Sequence, residues 1–165
     1  MKRAIATDYI PGNLWACDSV YAYGTNTTSP ASTKLVRCAH GTRTLEEIYD
    51  FTSTYHVANG KIFTTDVDGE VFAVLYDASN YYTLWRSSNY GVTFAQVFDF
   101  SAGGTVANRY TLDRGLCVGY PGGARTYLLA EYYTDSGAQA CRLLTSMNGT
   151  SWTIAASVTG GTAGN

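Results

Sequence analysis

The sequence predicts an all-β protein made of three repeated units, each a four-stranded antiparallel sheet. Residues 35–51 (LVRCAHGTRTLEEIYDF) and residues 84–100 (LWRSSNYGVTFAQVFDF) align without a gap, and residues 143–158 (LLTSMNGTSWTIAASV) form a third, looser copy. Self-similarity at a period of about 20 to 50 residues is typical of solenoids, propellers and arrays. The chain is also rich in Gly, Thr, Ser and Tyr and poor in apolar residues at helical spacing, which favours strands and tight turns.

The middle unit shows its four predicted strands most clearly. They are Lys61 to Thr65, Glu70 to Tyr76, Tyr82 to Ser87, and Phe94 to Phe100. Between the first two strands, residues 66–69 (DVDG) supply Asp and Gly, which tolerate the positive φ that a tight hairpin turn requires. Four antiparallel strands in about 50 residues correspond to one blade of a β-propeller.

The first and third units fit the same template. The predicted strands of the first unit are Leu14 to Cys17, Val20 to Tyr23, Lys34 to Cys38, and Leu45 to Phe51. Those of the third unit are Gly115 to Tyr120, Arg125 to Tyr132, Ala140 to Ser146, and Trp152 to Val158. The related phrases VANG, VANR and TAGN separate the units, so we expect a three-blade domain over residues 13–165, with blades at about residues 13–58, 59–107 and 108–165.

A polar motif connects the third and fourth predicted strands of the second and third units. Residues 87–94 (SSNYGVTF) and residues 146–152 (SMNGTSW) place Asn, Gly and a hydroxyl residue ahead of an aromatic one. An Asn side chain can bond nearby backbone amides, Gly permits a sharp reversal, and the aromatic ring can enter the core. We therefore predict turns that stabilise the fold, and their residues are Ser87, Asn89, Gly91, Thr93, Phe94, Ser146, Asn148, Gly149, Ser151 and Trp152.

These turns resemble the Asp-box, or BNR, motif of sialidase-like β-propellers, whose pattern is S/T-x-D-x-G-x-T/S-W/F. Asn89 and Asn148 stand where Asp is usual, and the first copy, CAHGTRTL, keeps only Gly41, Thr44 and Leu45. The resemblance thus covers all three repeats with declining fidelity. It implies a propeller whose box turns lie on the rim, away from the active face, so that they carry structure and not chemistry.

Three blades do not close a ring, because propellers contain roughly 4 to 8. An exposed apolar end face of about 500 Å² would be worth about 12 kcal/mol if buried at ~25 cal/mol/Å², comparable with the whole stability of a domain, roughly 5 to 15 kcal/mol. We therefore expect either a homo-oligomer, such as three plus three blades, or a larger ring or protein assembly that includes further chain. Residues 1–12 form an N-terminal segment in which RAIATDY resembles a fourth strand that could close such a ring.

The resemblance also raises the possibility of glycosidase chemistry. Sialidase-like enzymes grip a carboxylate with three arginines and use a Tyr/Glu pair and an Asp. Here Arg37 and Arg86 directly precede the turns, where we expect them to form ion pairs or hydrogen bonds. Arg109 and Arg114 are better placed for a ligand, but a carboxylate site of this kind needs three arginines. The family's Arg-Ile-Pro signature is absent, since Tyr9 precedes the Ile-Pro pair. We therefore predict no enzymatic activity and no catalytic residue.

The aromatic residues are the remaining candidates for a binding surface. Amphipathic rings suit sugar stacking and protein interfaces. Those predicted near loops and strand ends, as candidate ligand contacts, are Trp15, Tyr23, Tyr55, Tyr81, Tyr110, Tyr120 and Tyr133. Residues 66–70 (DVDGE) hint at Ca²⁺ but lack the other ligands of a calcium loop, so a hairpin turn is favoured and neither a metal nor a cofactor is expected.

Composition restricts the partners and the compartment. Eleven basic and thirteen acidic residues are spread without runs, which argues against nucleic acid as a partner. No apolar stretch is long enough for a signal peptide or a membrane span, so we expect no membrane insertion and folding in the cytoplasm. The four cysteines form no CxxC pair and are predicted to be buried free thiols.

Together these observations predict a non-enzymatic structural and adhesion module. General resemblance to coat and fibre proteins suggests display on a phage virion or tail, or on another extracellular assembly, with carbohydrate or receptor contact as its activity. The alternatives are a fragment of a sialidase-like glycoside hydrolase and a lectin.

Overall fold

The computed structural model describes residues 14–25, 34–51, 55–77, 82–100, 110–135 and 138–159. Within these ranges the chain forms twelve strands, β1 to β12, and one short 3-10 helix, so the predicted all-β class is confirmed. The strands make three separate four-stranded sheets, each with its strands hydrogen bonded in chain order. Every neighbouring pair is antiparallel.

The strand bounds follow the three repeats. The first sheet consists of β1 Leu14–Cys17, β2 Tyr21–Thr25, β3 Lys34–Ala39 and β4 Leu45–Asp50. The second consists of β5 Tyr55–Thr64, β6 Val71–Asp77, β7 Tyr82–Ser87 and β8 Ala95–Asp99. The third consists of β9 Tyr110–Gly119, β10 Thr126–Asp135, β11 Ala138–Ser146 and β12 Thr153–Thr159.

The largest departures from the predicted strands are at the starts of β5 and β9. Strand β5 begins at Tyr55, six residues before the predicted Lys61, so the expected boundary at residues 58 and 59 falls inside it. Its pairing with β6 shifts register between Val57 and Ile62, so the longer strand is irregular at the place where the boundary was expected. Strand β9 likewise begins at Tyr110. The N-terminal segment of residues 1–12, which includes the predicted closing strand, lies outside the described residues.

The repeat is visible in the hydrogen bonding as well as in the sequence. In each sheet the pairing of the third strand with the fourth shifts register once. The shifts lie at Leu35/Val36, Leu84/Trp85 and Leu143/Leu144, which are equivalent repeat positions. Since a bulge bends its strand, the three sheets are distorted at the same place.

The second sheet is buried on both of its faces. On β6, alternate residues Val71, Ala73 and Leu75 belong to an apolar core shared with the first sheet, whereas Phe72 and Val74 belong to a core shared with the third. This follows from the two-residue period of a strand, which sends neighbouring side chains to opposite faces. The first strands of the sheets are also adjacent, because β5 contacts both β1 and β9. The three sheets are therefore stacked in chain order.

The cysteines correct one sequence-based expectation. All four are free thiols, but only Cys38 is fully buried, and both Cys117 and Cys141 are exposed. Their burial was wrongly predicted because both lie on the third sheet, on a face that no described part of the chain covers. Among the described residues, no helix has the length and apolar character needed to cross a membrane.

Candidate functional site

The far face of the third sheet is an open apolar surface of the described chain. Tyr127, Leu129 and Leu144 point into the core shared with the second sheet, so the residues that alternate with them point away from it. Cross-strand pairing extends this assignment to β9 and β12. We define the outer face as Cys117, Leu128, Ala130, Tyr132, Cys141, Leu143, Thr145, Ala156 and Val158.

Leu143 is exposed where its repeat equivalents are buried. Leu35 and Leu84 occupy the same position in the first and second sheets, each is 0% exposed, and each lies in the core against the following sheet. Leu143 is 37% exposed. The third repeat thus keeps the apolar residue that a following sheet would cover.

The edge of the outer face shows the same contrast. Phe51 and Phe100 are equivalent residues and are 3% and 2% exposed, whereas Val158 takes their place in the third repeat and is 63% exposed. Because valine is smaller than phenylalanine, Val158 fills less space at this edge than Phe51 and Phe100 do. A groove of about 440 Å³ runs over Ala130, Leu143 and Val158.

The outer face carries no charged side chain among the residues whose side chains the structure describes. Glu131 and Arg142 approach the groove but are buried on the opposite side of the sheet, where Arg142 Nε donates to Glu131 Oε2 at 2.5 Å. The guanidinium of Arg142 also donates to the carbonyl oxygen of Phe100 at 2.7 Å, which joins the second and third sheets.

In the first two sheets an arginine at one repeat position lies against the turn of the next sheet. Arg37 Nη1 donates to the carbonyl oxygen of Tyr90 at 2.9 Å. Arg86 Nε lies so close to Gly149 that a Cβ there would sit 3.2 Å from it. The third sheet has Thr145 at this position, so it offers no equivalent arginine.

A buried carboxylate joins the second and third sheets. Glu70 accepts hydrogen bonds from Arg86 (2.6 and 2.9 Å), Arg125 (2.7 Å), Tyr127 (2.7 Å) and Thr65 (2.5 Å). Burial raises the pKa of Glu70, but these hydrogen bonds outweigh burial and hold that pKa below its ordinary value. Glu70 and Tyr127 are 3% and 1% exposed, so both are shielded from solvent.

A second, more exposed carboxylate extends this network. Arg125 donates to Asp66 Oδ1 through Nε at 3.0 Å and through Nη2 at 2.7 Å, and the Tyr120 hydroxyl donates to Asp66 Oδ2. The hydrogen bonds from Arg125 and Tyr120 lower the pKa of Asp66 to about 2. The hydrogen bond to Asp66 raises the pKa of Tyr120.

At the interface between the first and second sheets, Asp18 is the carboxylate that accepts the hydrogen bonds. Asp18 accepts hydrogen bonds from the backbone amides of Val20 (2.8 Å), Tyr21 (2.7 Å) and Gly69 (3.0 Å), and from the Tyr23 hydroxyl (2.9 Å). Burial, together with this bond to Asp18, raises the pKa of Tyr23.

The predicted turn of the second sheet is closed by its own side chains. The Ser87 hydroxyl oxygen accepts from the amides of Asn89 (3.2 Å) and Gly91 (2.9 Å). Asn89 Oδ1 accepts from the amide of Thr93 at 3.0 Å, and its Nδ2 donates to Thr93 Oγ1 at 2.9 Å. Phe94 packs into the core between the first two sheets.

The turn of the third sheet uses the same residue types in a shorter loop. The Ser146 hydroxyl oxygen accepts from the amides of Asn148 (3.4 Å) and Gly149 (2.9 Å). Asn148 Oδ1 accepts from the amides of Thr150 (2.9 Å) and Ser151 (2.8 Å). Trp152 packs between Phe72 and Tyr127, with ring centroids 6.3 and 6.2 Å away.

The aromatic residues predicted to contact a ligand do not form one cluster in the described chain. Tyr23 is fully buried in the core, whereas Tyr120 is 56% exposed beside Asp66 and Arg125. Tyr81 lies outside the described residues. Four others lie on strands but have side chains outside the described part: Trp15, Tyr55, Tyr110 and Tyr133.

The acidic turn that hinted at Ca²⁺ is used for other contacts. Asp66 and Glu70 bind Arg125, and Asp68 Oδ1 accepts from the amide of Ser19 at 3.0 Å. The described residues contain no group of three or more His, Cys, Asp or Glu side chains that could hold a metal ion.

Sequence reasoning missed Glu70 and Asp18 as organising residues, although one signal was present. Glu70 directly precedes the buried strand β6 and Asp18 directly follows β1, in a chain with few charges, and a buried charge requires a partner. Comparison with known proteins adds no family assignment, because no protein-family model matches the chain and no curated protein matches it.

Proposed function

We propose that this chain is a non-enzymatic structural module of β-propeller architecture that works within a larger protein assembly. The observation that carries the proposal is the exposure of Leu143 where Leu35 and Leu84 are fully buried by a following sheet. A stable environment for the third repeat therefore includes a protein surface packed on the outer face. A homo-oligomer is the simplest source of that surface.

The sheet arrangement supports the propeller part of the proposal. Each sheet is a four-stranded meander, and the first strands of successive sheets are adjacent, as they are around a propeller axis. The turns that resemble Asp boxes connect the third and fourth strands of the second and third sheets. Since three sheets are too few for a closed ring, a partner surface or further chain would cover the sheet that the arc leaves open.

Light scattering coupled to size-exclusion chromatography tests the assembly. We expect the wild-type chain to form an oligomer at micromolar concentration and Val158→Asp to shift it towards the monomer, because a carboxylate would be desolvated on the outer face. Val92→Asp is the matched control, since Val92 is 49% exposed in the turn of the second sheet and away from that face. A monomeric wild-type protein would overturn the proposal.

Adhesion is the second candidate function, and Tyr120 favours it. Its exposed ring lies beside Arg125 and Asp66, so an apolar face is next to charged hydrogen-bonding groups, as in many sugar sites. We propose contact with a carbohydrate or receptor from an extracellular assembly such as a phage virion or tail. A glycan array should show binding that Tyr120→Ala abolishes, and no binding to any glycan would remove the lectin hypothesis.

The absence of enzymatic activity is part of the proposal and has its own test. Glu70 and Tyr127 form a hydrogen-bonded Tyr/Glu pair like that of sialidase-like enzymes, but both are shielded from solvent and occupied by arginines. We expect no turnover of a fluorogenic sialoside. Turnover above that of the heat-denatured protein would favour the alternative of a sialidase-like glycoside hydrolase.

A further inference from the structure

We infer that the outer face of the third sheet pairs with the same face of a second copy of this chain about a two-fold axis. This inference rests on the proposed assembly function, and it identifies the partner surface as the outer face of a second copy. The axis is placed near Leu143, which lies on an inner strand of the sheet and opposite Ala156 on the neighbouring strand.

The outer face is not built to receive a sheet in the way that the first two sheets do. In those sheets the repeat supplies an arginine that approaches the turn of the next sheet: Arg37 donates to the carbonyl oxygen of Tyr90, and Arg86 lies beside Gly149. The third repeat has Thr145 at this position. A following sheet of the same kind would therefore lack these arginine contacts.

The face of the first sheet that a head-to-tail partner would use is already buried. Ala22 and Val36 point away from the second sheet, since they alternate with Tyr23 and Leu35 of the shared core. Both are buried in the single chain. In the described chain the more exposed end of the stack is therefore the outer face of the third sheet.

The outer face is complementary to itself. The small side chains of Ala130 and Ala156 leave a groove around Leu143 into which the leucine of a second copy fits. The nine residues that define the outer face carry no charge, so no like charges meet among them in a two-fold pairing. Two-fold pairing of one patch with itself is also the commonest symmetry of homo-oligomers.

The size of the face places the pairing among weak, reversible interfaces. Four strands about 4.8 Å apart, each with about seven residues at ~3.4 Å, span roughly 450 Å². Two such faces bury roughly 900 Å², near the lower limit of about 1,000 Å² for specific interfaces. We therefore expect a dimer whose dissociation constant is on the order of micromolar.

Charge complementation at one position tests the inference. In a two-fold interface, position 143 of one copy faces position 143 of the other. Leu143→Lys and Leu143→Glu should each be monomeric at concentrations where the wild-type chain is dimeric, and their equimolar mixture should recover the dimer mass by light scattering. Val92→Lys and Val92→Glu are the matched controls and should remain dimeric both alone and mixed.

The outcomes separate this inference from the proposed function. If both Leu143 variants dissociate and their mixture stays monomeric, the face is an assembly surface but its partner is a different surface, which overturns the two-fold pairing alone. If the wild-type chain is monomeric, both proposals fail. Should circular dichroism show that a Leu143 variant is unfolded, Ala156→Lys and Ala156→Glu repeat the test at the residue opposite it.

Discussion

Leu35 lies between the first and second sheets, and Leu84 lies at the equivalent position between the second and third; neither is accessible to solvent. The polar groups beside them differ. Asp18 closes the first interface through backbone amides and one tyrosine, whereas Glu70 closes the second through two arginines and a tyrosine. The repeat therefore preserves the apolar contact between sheets, whereas the hydrogen bonds beside that contact differ from one interface to the other.

Truncating the equivalent leucines tests whether the apolar contact is shared. Leu35→Ala and Leu84→Ala should each lower the free energy of unfolding by about 3 kcal/mol, because each removes a fully buried side chain from a packed core. Leu143→Ala should cost less than about 1 kcal/mol in the monomer, since its side chain is partly exposed. Urea denaturation at low protein concentration measures all three. Equal losses for Leu84→Ala and Leu143→Ala would contradict the contrast between covered and open sheets.

Replacing the carboxylates of Glu70 and Asp18 tests whether the hydrogen bonds at the two interfaces contribute differently to stability. Glu70→Gln should lower the free energy of unfolding by about 3 kcal/mol, because it leaves the guanidinium groups of Arg86 and Arg125 without their shared anion. Asp18→Asn should cost about 1 to 2 kcal/mol, since an amide oxygen still accepts from backbone amides. The same urea series compares them. The distinction between the interfaces fails if Asp18→Asn is the more destabilising change.

Much of the fold could be predicted from the sequence because its signals are local. Strand alternation, the spacing of turns and the repeat located all twelve strands to within a few residues, with β5 and β9 as the main departures. The turns around Asn89 and Asn148 could be predicted for the same reason, since a side chain and the amides it binds are close in sequence.

The inter-sheet contacts could not be predicted in this way. Arg125 binds Glu70 across 55 positions of sequence, and that contact depends on two hairpins lying side by side. Tyr23 was expected near a surface, but its environment is set by the neighbouring sheet. Cys117 and Cys141 were expected to be buried but are exposed, because no described sheet packs on their face of the third sheet.

The turn glycines extend the comparison to backbone conformation. Gly91 contacts the first interface and Gly149 the second, with φ of 81° and 73°. A Cβ at Gly91 would lie 2.6 Å from Ile48 Cδ1, whereas one at Gly149 would lie 3.1 Å from Tyr127 Cζ. Gly91→Ala should therefore cost about 2 kcal/mol and Gly149→Ala about 1 kcal/mol, as strain from positive φ adds to the closer contact. A greater loss of stability in Gly149→Ala, measured by urea denaturation, would reverse this order.

The smallest expected effect is the acid sensitivity of the second interface. The pKa values of Asp66 and Glu70 are lowered in the folded chain, that of Asp66 from 3.8 to about 2. Their stabilisation is therefore complete above the unfolded pKa values and is lost as the pH falls through the folded ones. Asp66 is partly exposed, so solvent screens its ion pair with Arg125, and its share should be below about 1 kcal/mol.

Unfolding measured in urea between pH 5 and about pH 2 resolves this share. Asp66→Asn should flatten the decline in stability between about pH 4 and pH 2, because the variant has no carboxylate to protonate at that position. Tyr120→Phe should flatten it less, since it removes one hydrogen bond and leaves both bonds from Arg125. Equal slopes for the wild-type chain and Asp66→Asn would mean that the Asp66 and Arg125 contact contributes nothing to acid sensitivity, and the difference between the interfaces would then rest on Glu70 alone.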